Sequence, residues 1–237
     1  MKVILLAGGL GTRISEETID KPKPMVLLND KPIIWHLMQI FAIQGISDFI
    51  IAGGYKVSII EDWVSTLKSD WNIQVLDTGL DTQTGGRIKL CLEKYPNEKC
   101  LATYGDGLGN INIKKLLKFH ESQGALATLT AVRPPARFGY LEFDEGKVTR
   151  FGEKNQSFAG WVNGGFFVLE NEVKDYILEE AEPFETGALP RLTFERQLAC
   201  FQHAGFWQPM DTLREKNDLA ILAKIDRPPW LDFSIER

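Results

Sequence analysis

The sequence predicts an α/β fold: a mainly parallel central sheet with helices on both faces and a smaller antiparallel β extension. Three observations carry this. Short apolar runs alternate with segments of helical period through the first half of the chain. The first apolar run, residues 3–7, opens directly into a glycine-rich loop, Gly8-Gly9-Leu10-Gly11. After Pro134-Pro135 the pattern changes to short strand-like runs separated by turns such as Glu145-Gly146. Strand–helix alternation implies right-handed crossovers and parallel pairing, and turn-separated strands imply antiparallel pairing.

The elements follow in order. Residues 3–7 read as a buried strand. Residues 31–44 place Ile33, Ile34, Leu37, Met38, Ile40 and Phe41 at helical spacing and stop at Gly45. A strand is expected at 48–52. Next comes a helix at 56–68, with Val57, Ile60, Trp63, Val64 and Leu67 on one face. Only a few residues then separate it from a strand at 73–76. A helix at 86–95 and strands at 100–104 and 127–132 flank a helix at 113–123, which Asn112 can cap. Strands at 140–143, 148–151 and 166–169 make the antiparallel extension. Helices near 172–180 and 188–197, a strand at 198–202 and a helix at 212–224 close the chain. The 237 residues allow one large domain or two small ones at ~150 residues each. No linker is evident, so a single domain, 1–237, is expected.

Composition excludes several classes. Apolar residues are 44% and charged residues 25%, the balance of a globular chain rather than a disordered one. No apolar run approaches the ~18 residues of a membrane span, and the opening apolar stretch is too short for a secretion signal. Cys91, Cys100 and Cys200 are odd in number and form no CxxC pair. They read as buried small hydrophobes, and the expected compartment is the cytoplasm. A net charge of −5 argues against nucleic-acid binding, so an anionic ligand must meet local positive charge. His36, His120 and His203 are scattered, without metal-ligand spacing or a nucleophile beside them, and read as structural.

Four constellations carry chemistry. Leu6-Ala7-Gly8-Gly9-Leu10-Gly11-Thr12-Arg13 follows the first strand, where ligands lie in doubly wound sheets. Its glycines let backbone approach a ligand and point amides at an anion, and the Arg13 guanidinium suits phosphate oxygens. It is neither a dinucleotide fingerprint nor a Walker sequence. Lys21-Pro22-Lys23-Pro24-Met25 holds Lys23 between two stiff prolines, a point contact for phosphate or simply a solvated basic loop. Tyr104-Gly105-Asp106-Gly107 puts a carboxylate at a strand end, suited to Mg²⁺ or to a plain Asp-Gly turn. Asp211, in Pro209-Met210-Asp211-Thr212, stands where it can cap the last helix or join Asp106 in a two-carboxylate magnesium site. Weaker are Thr84-Gly85-Gly86-Arg87, a turn opening a helix that can present amides to a base or phosphate, and the strings Glu153-Lys154 and Asn163-Gly164-Gly165-Phe166, whose Glu and Asn are good partners for sugar hydroxyls.

Taken together these strings resemble the sugar-1-phosphate nucleotidyltransferases. LAGGLGTR, KPKPM, YGDG, FGEK, NGGFF and PMDT occur here in that family's order, from Leu6 to Thr212. Ile14-Ser15-Glu16-Glu17-Thr18, Thr84-Gly85-Gly86-Arg87, Ile33-Ile34-Trp35-His36 and Gly205-Phe206-Trp207-Gln208 look most like its cytidylyltransferase branch. The resemblance implies a Rossmann-like nucleotide-diphosphosugar transferase fold, with a nucleotide-binding half, 1–133, and a sugar-binding half with the C-terminal helices, 134–237. It implies CTP and glucose 1-phosphate as substrates, CDP-glucose and pyrophosphate as products, and Mg²⁺ as cofactor. It also implies a homo-oligomer and a place in surface-polysaccharide synthesis.

By the family pattern Leu6, Ala7, Gly8, Gly9, Gly11, Thr12 and Gly105 cradle the nucleotide. Arg13 and Lys23 are the catalytic cations. Thr84, Gly85, Gly86 and Arg87 lie near the base, and Asp106 and Asp211 hold the metal. Gly139, Glu153, Lys154 and Asn163 take the sugar phosphate. Two features depart from the pattern. The segment before Ile73 is short where cytidylyltransferases carry a longer one used in subunit contacts, and the usual proline after Lys154 is Asn155. A relative using UTP or dTTP, or another sugar phosphate, and a silent nucleotide-sugar binding protein are the other readings.

Overall fold

The computed structural model describes residues 1–135, 140–152 and 160–233. Thirteen strands and seven α-helices succeed one another among them. The first half runs β1 (Lys2–Ala7), α1 (Ser15–Thr18), β2 (Leu27–Leu28), β3 (Lys31–Pro32), α2 (Ile33–Ala42), β4 (Asp48–Gly53), α3 (Val57–Thr66), β5 (Asn72–Asp77), α4 (Thr84–Lys94) and β6 (Cys100–Tyr104). The second runs β7 (Gly107–Gly109), α5 (Ile113–Gln123), β8 (Ala127–Val132), β9 (Tyr140–Asp144), β10 (Lys147–Gly152), β11 (Val162–Leu169), α6 (Ala188–Phe194), β12 (Leu198–His203), β13 (Trp207–Pro209) and α7 (Leu213–Leu222).

Seven strands form the central sheet in the order β12-β8-β11-β6-β1-β4-β5. β6, β1, β4 and β5 are parallel, with Leu5 opposite Ile51 on one side and Thr103 on the other. Alternation along β1 divides the core in two. Val3 and Leu5 face a cluster with α2 and α5, while Ile4 and Leu6 face a second with α4 and α6. A strand covered on both faces is apolar throughout, which is why residues 3–7 carry no polar alternation.

The expected antiparallel extension is smaller than the sequence suggests. β9 and β10 do form a separate hairpin, but β11 enters the central sheet, antiparallel to both β6 and β8. Its apolar run, Gly164 to Leu169, is buried on both faces and belongs to the core. The helix expected near 172–180 is a 3₁₀ segment, Asn171–Tyr176. Cys91 and Cys100 are buried, and burial pushes their thiols up to about 12 and about 11. Cys200 is exposed on the edge strand β12, against expectation. No helix among the described residues is long and apolar enough to cross a membrane.

Two short strands matter most for the site. β7 follows the Tyr104-Gly105-Asp106 turn and pairs antiparallel with β13, Gly107 opposite Pro209. The Met210 amide then donates to the Asp106 carbonyl at 2.8 Å. Chain beyond β13 is fixed at once by a capping box: the Thr212 hydroxyl accepts from the Glu215 amide and the Glu215 carboxylate from the amides of Asp211 and Thr212. Thr212→Ala removes one arm of the box and is expected to cost about 0.5–2 kcal/mol. A urea midpoint equal to that of the parent would show that the box contributes nothing.

Candidate active site

A cavity of about 620 Å³ opens at the carboxyl ends of β1 and β6. Gly8, Gly9, Leu10, Gly11, Thr12 and Arg13 of the glycine loop line it, together with Lys23, Asp106, Asp211, Asn163 and Trp207. Of its charged lining residues three are cationic (Arg13, Lys23, Arg87) and two acidic. The described lining is therefore positive in a chain of net charge −5.

The glycine loop is fixed by tight packing. Gly11 has φ +66°, a left-handed conformation that glycine adopts without penalty. A Cβ there would lie 2.9 Å from Thr18 Cγ2 and 3.0 Å from Lys23 Cβ. The Thr18 hydroxyl donates to the Gly11 carbonyl at 3.1 Å. Gly9, by contrast, is open to the cavity. Gly105 packs on the Leu6 carbonyl and on Pro24, so the turn before Asp106 is clamped between β1 and the proline loop.

Lys23 binds the site together. Pro22 and Pro24 set its short 3₁₀ turn, Lys23–Met25, and the residue is buried. Its Nζ donates to Asp106 Oδ2 at 2.6 Å and to Asp211 Oδ1 at 2.9 Å. Arg13 Nη1 lies 3.1 Å from Asp211 Oδ2. Burial pulls the Lys23 ammonium down, but the charges and hydrogen bonds of Asp106 and Asp211 outweigh it, and its pKa is raised. Burial pushes the Asp211 carboxyl up; the hydrogen bond and charge of Lys23, with Arg13 added, win and hold it below its ordinary value.

The donor set fits a hard divalent cation. Two carboxylates converge on one ammonium-sized position, and no cluster of three or more potential ligands exists among the described residues. Magnesium needs no more, since it takes one or two carboxylates and completes its shell with waters and substrate phosphates.

Not every expected contact faces the cavity. Leu6, Ala7, Gly8, Gly9, Gly11, Thr12, Arg13, Lys23, Thr84, Arg87, Gly105, Asp106, Asn163 and Asp211 line it. Gly85 and Gly86 are not among its lining residues. The Gly85 amide donates to the Glu182 carbonyl at 3.0 Å, and a Cβ on Gly86 would run into the Glu180 carbonyl. Both glycines serve the packing of α4 on the chain at 180–184. Arg87 is buried, with Nη1 donating to the carbonyls of Gly53 (2.8 Å) and Gly79 (2.9 Å) and to the Thr78 hydroxyl. Its Nη2 donates to Gly8 at 3.2 Å. Gly139, Glu153 and Lys154 lie outside the described residues. The three histidines are not in the cavity. His36 bonds the Leu28 carbonyl, His120 bonds Thr128 and Glu170, and His203 bonds the Phe206 carbonyl.

Leu10, Leu80, Thr82, Gln83, Tyr104 and Trp207 also line the cavity, and the sequence assigns none of them a role of its own. Tyr104 and Trp207 stand inside the strings YGDG and GFWQPMDT. Leu80, Thr82 and Gln83 sit in a loop with no distinguishing pattern.

A glycine-loop cavity on a mainly parallel sheet, with two carboxylates and two cations beside it, defines a site for phosphate chemistry on a nucleotide. The chain belongs to the nucleotidyl transferase family, whose model matches residues 2–218. It is 43% identical to glucose-1-phosphate cytidylyltransferase of Salmonella typhi over 97% of this chain and 98% of that one. The enzyme of the same name from Salmonella typhimurium matches at 43%, with 97% and 98% covered. Among solved structures, HddC of Yersinia pseudotuberculosis has a TM-score of 0.71 at 24% identity, covering 94% of this chain and 99% of that one. The Salmonella alignments run to 253 positions, longer than these 237 residues, so those proteins hold residues with no counterpart here. The α3–β5 connection is short, residues 67–71.

The charge cluster makes a measurable demand. A lowered Asp211 pKa means stability that is full above the ordinary value and is lost as pH falls through the lowered one. Lys23→Met removes the main cause and leaves two carboxylates side by side, which raises the proton affinity of the pair. The acid-unfolding midpoint followed by circular dichroism is expected to move to higher pH. An unmoved midpoint would mean the bridge adds nothing to acid stability.

Proposed function

We propose that this chain transfers the cytidylyl group of CTP to glucose 1-phosphate, giving CDP-glucose and pyrophosphate. A phosphate oxygen of the sugar phosphate attacks the nucleotide α-phosphorus in line. The new P–O bond forms as the α–β bridge breaks, and pyrophosphate leaves with the bridging oxygen. Positioning and charge neutralisation are most of what such a transfer requires. The observation that carries the reading is the Arg13–Asp211–Lys23–Asp106 cluster beside the glycine loop, in a chain 43% identical over nearly its whole length to glucose-1-phosphate cytidylyltransferases.

In this reading the loop at 8–12 cradles the triphosphate, and Arg13, the most exposed of the cluster at 75%, meets the leaving phosphates. Lys23 faces the reacting phosphate. Asp106 and Asp211 hold Mg²⁺, which supplies charge neutralisation when bound. Thr84 lies toward the base, and Asn163 toward sugar hydroxyls. Glu153, Lys154 and the Gly139 backbone join the sugar-phosphate side on the resemblance, and so does a homo-oligomeric state.

Cytosine presents an amino donor where uracil presents a carbonyl acceptor. A site built from fixed backbone acceptors would leave uracil one buried mismatch, worth ~1–3 kcal/mol, and on that footing CTP is expected to be favoured about 10- to 100-fold over UTP. The short connection at 67–71 favours a second reading, a relative with weaker base selection. Pyrophosphate release from CTP, UTP, dTTP, ATP and GTP with glucose 1-phosphate decides between them. A higher kcat/KM for UTP or dTTP than for CTP would overturn the cytidylyl assignment. Asp106→Asn and Asp211→Asn should each lower turnover at least ~100-fold. Near-parent magnesium-dependent rates in both would remove the metal role.

A further inference from the structure

Glu185 lies on the surface outside the cavity, yet both of its carboxylate oxygens are engaged. Oε2 accepts from the Thr84 hydroxyl at 2.7 Å and Oε1 from the Tyr104 hydroxyl. Thr84 is held in turn, because its Oγ1 accepts from the Phe184 amide at 2.8 Å. The Tyr104 ring is locked as well. It packs on Gly165, where φ is +78° and a Cβ would collide with the ring, and edge-on against Phe167 at 5.6 Å. Burial and then the Glu185 charge push the Tyr104 hydroxyl up, so it remains a donor through the working pH range.

The direction of every bond in this chain follows from its end. A carboxylate only accepts, so Tyr104 must give its single proton to Glu185. The phenolic oxygen is then left to accept, and it does so from Asn163 Nδ2 at 3.1 Å. That fixes the Asn163 amide with Oδ1 toward the Gly165 amide, which donates to it at 2.9 Å. Without Glu185 the phenol can rotate its proton toward Asn163, and of these two contacts only the Gly165 amide then still holds the Asn163 side chain.

We propose that Glu185 is a positioning residue for the sugar-phosphate side of the site, acting from outside the cavity through Tyr104 to hold the Asn163 amide in one orientation. This rests on the reading of Asn163 as a sugar-hydroxyl partner. It adds a residue, and a direction of hydrogen bonding, that the cavity lining alone does not contain.

The test is a double-variant cycle with glucose 1-phosphate and CTP varied in turn. Glu185→Ala and Tyr104→Phe are each expected to raise the KM for glucose 1-phosphate about 3- to 10-fold, the size of one hydrogen bond, with a smaller change in the KM for CTP. Because they act in one chain, the double variant should be no worse than the poorer single one. Glu185→Gln keeps an acceptor for Tyr104 and a partner for Thr84, and should restore the parent KM. The melting temperature of Glu185→Ala should stay near that of the parent. Additive effects, equal shifts in both KM values, or no rescue by glutamine would overturn the proposal. Asn163→Ala is the separate check on its premise: an unmoved sugar-phosphate KM there would overturn the sugar reading of Asn163 and the proposal with it.

Discussion

Two carboxylates cannot both stay ionised side by side in a half-buried pocket without a cation between them. In this molecule the cation is the Lys23 ammonium, and much of the site's geometry follows from that requirement. Asp106 is 83 residues from Lys23 in sequence and Asp211 is 188. Three distant segments must therefore arrive at one position. Each has its own support: the prolines around Lys23, the clamped Gly105 turn before Asp106, and the capping box that fixes the chain at Asp211. The β7–β13 pairing aligns the two acidic segments through their backbones. The ammonium then offsets the repulsion that the pairing creates.

Arg87 plays the corresponding part beneath the glycine loop, with backbone carbonyls in place of carboxylates. Its guanidinium reaches Gly8, Gly53 and Gly79, which lie at the ends of β1, β4 and β5. Donors in a rigid fork match this arrangement, and an ammonium cannot reproduce it. The glycines are a consequence. A Cβ on Gly8 or Gly54 would occupy the guanidinium's place. Thus Gly8 owes its identity at least as much to the arginine behind it as to a ligand in front of it. Burial lowers the Arg87 pKa, with Asp77 the main charge opposing the shift.

Much of the fold was legible because apolar periodicity reports burial directly. The segments 100–104, 113–123 and 127–132 match the observed elements at both ends. Misreadings arose where burial and pairing part company. The Phe166–Leu169 run carries the apolar pattern of any core strand, and that pattern says nothing about which neighbour it pairs with or in which direction. β7 and β13 are three residues each and too short to have a period. They are nonetheless the strands that unite the acidic residues.

The site was legible in its residue types and not in its connections. Gly8, Lys23, Asp106 and Asp211 are of the types expected for phosphate and metal chemistry, and the fold brings them to one cavity. The turn Thr84-Gly85-Gly86-Arg87 looks locally identical whether its amides face a ligand or the protein. Only the arrival of the chain at 180–184, about a hundred residues later, decides it. That segment takes the Gly85 amide, crowds Gly86, and carries Glu185 onto Thr84 and Tyr104. A glutamate in Glu182-Pro183-Phe184-Glu185 has no local feature that separates it from a solvated surface charge. Two hydroxyls twenty residues apart in sequence, those of Thr84 and Tyr104, meet its carboxylate, and contacts of that kind are written in the tertiary structure alone.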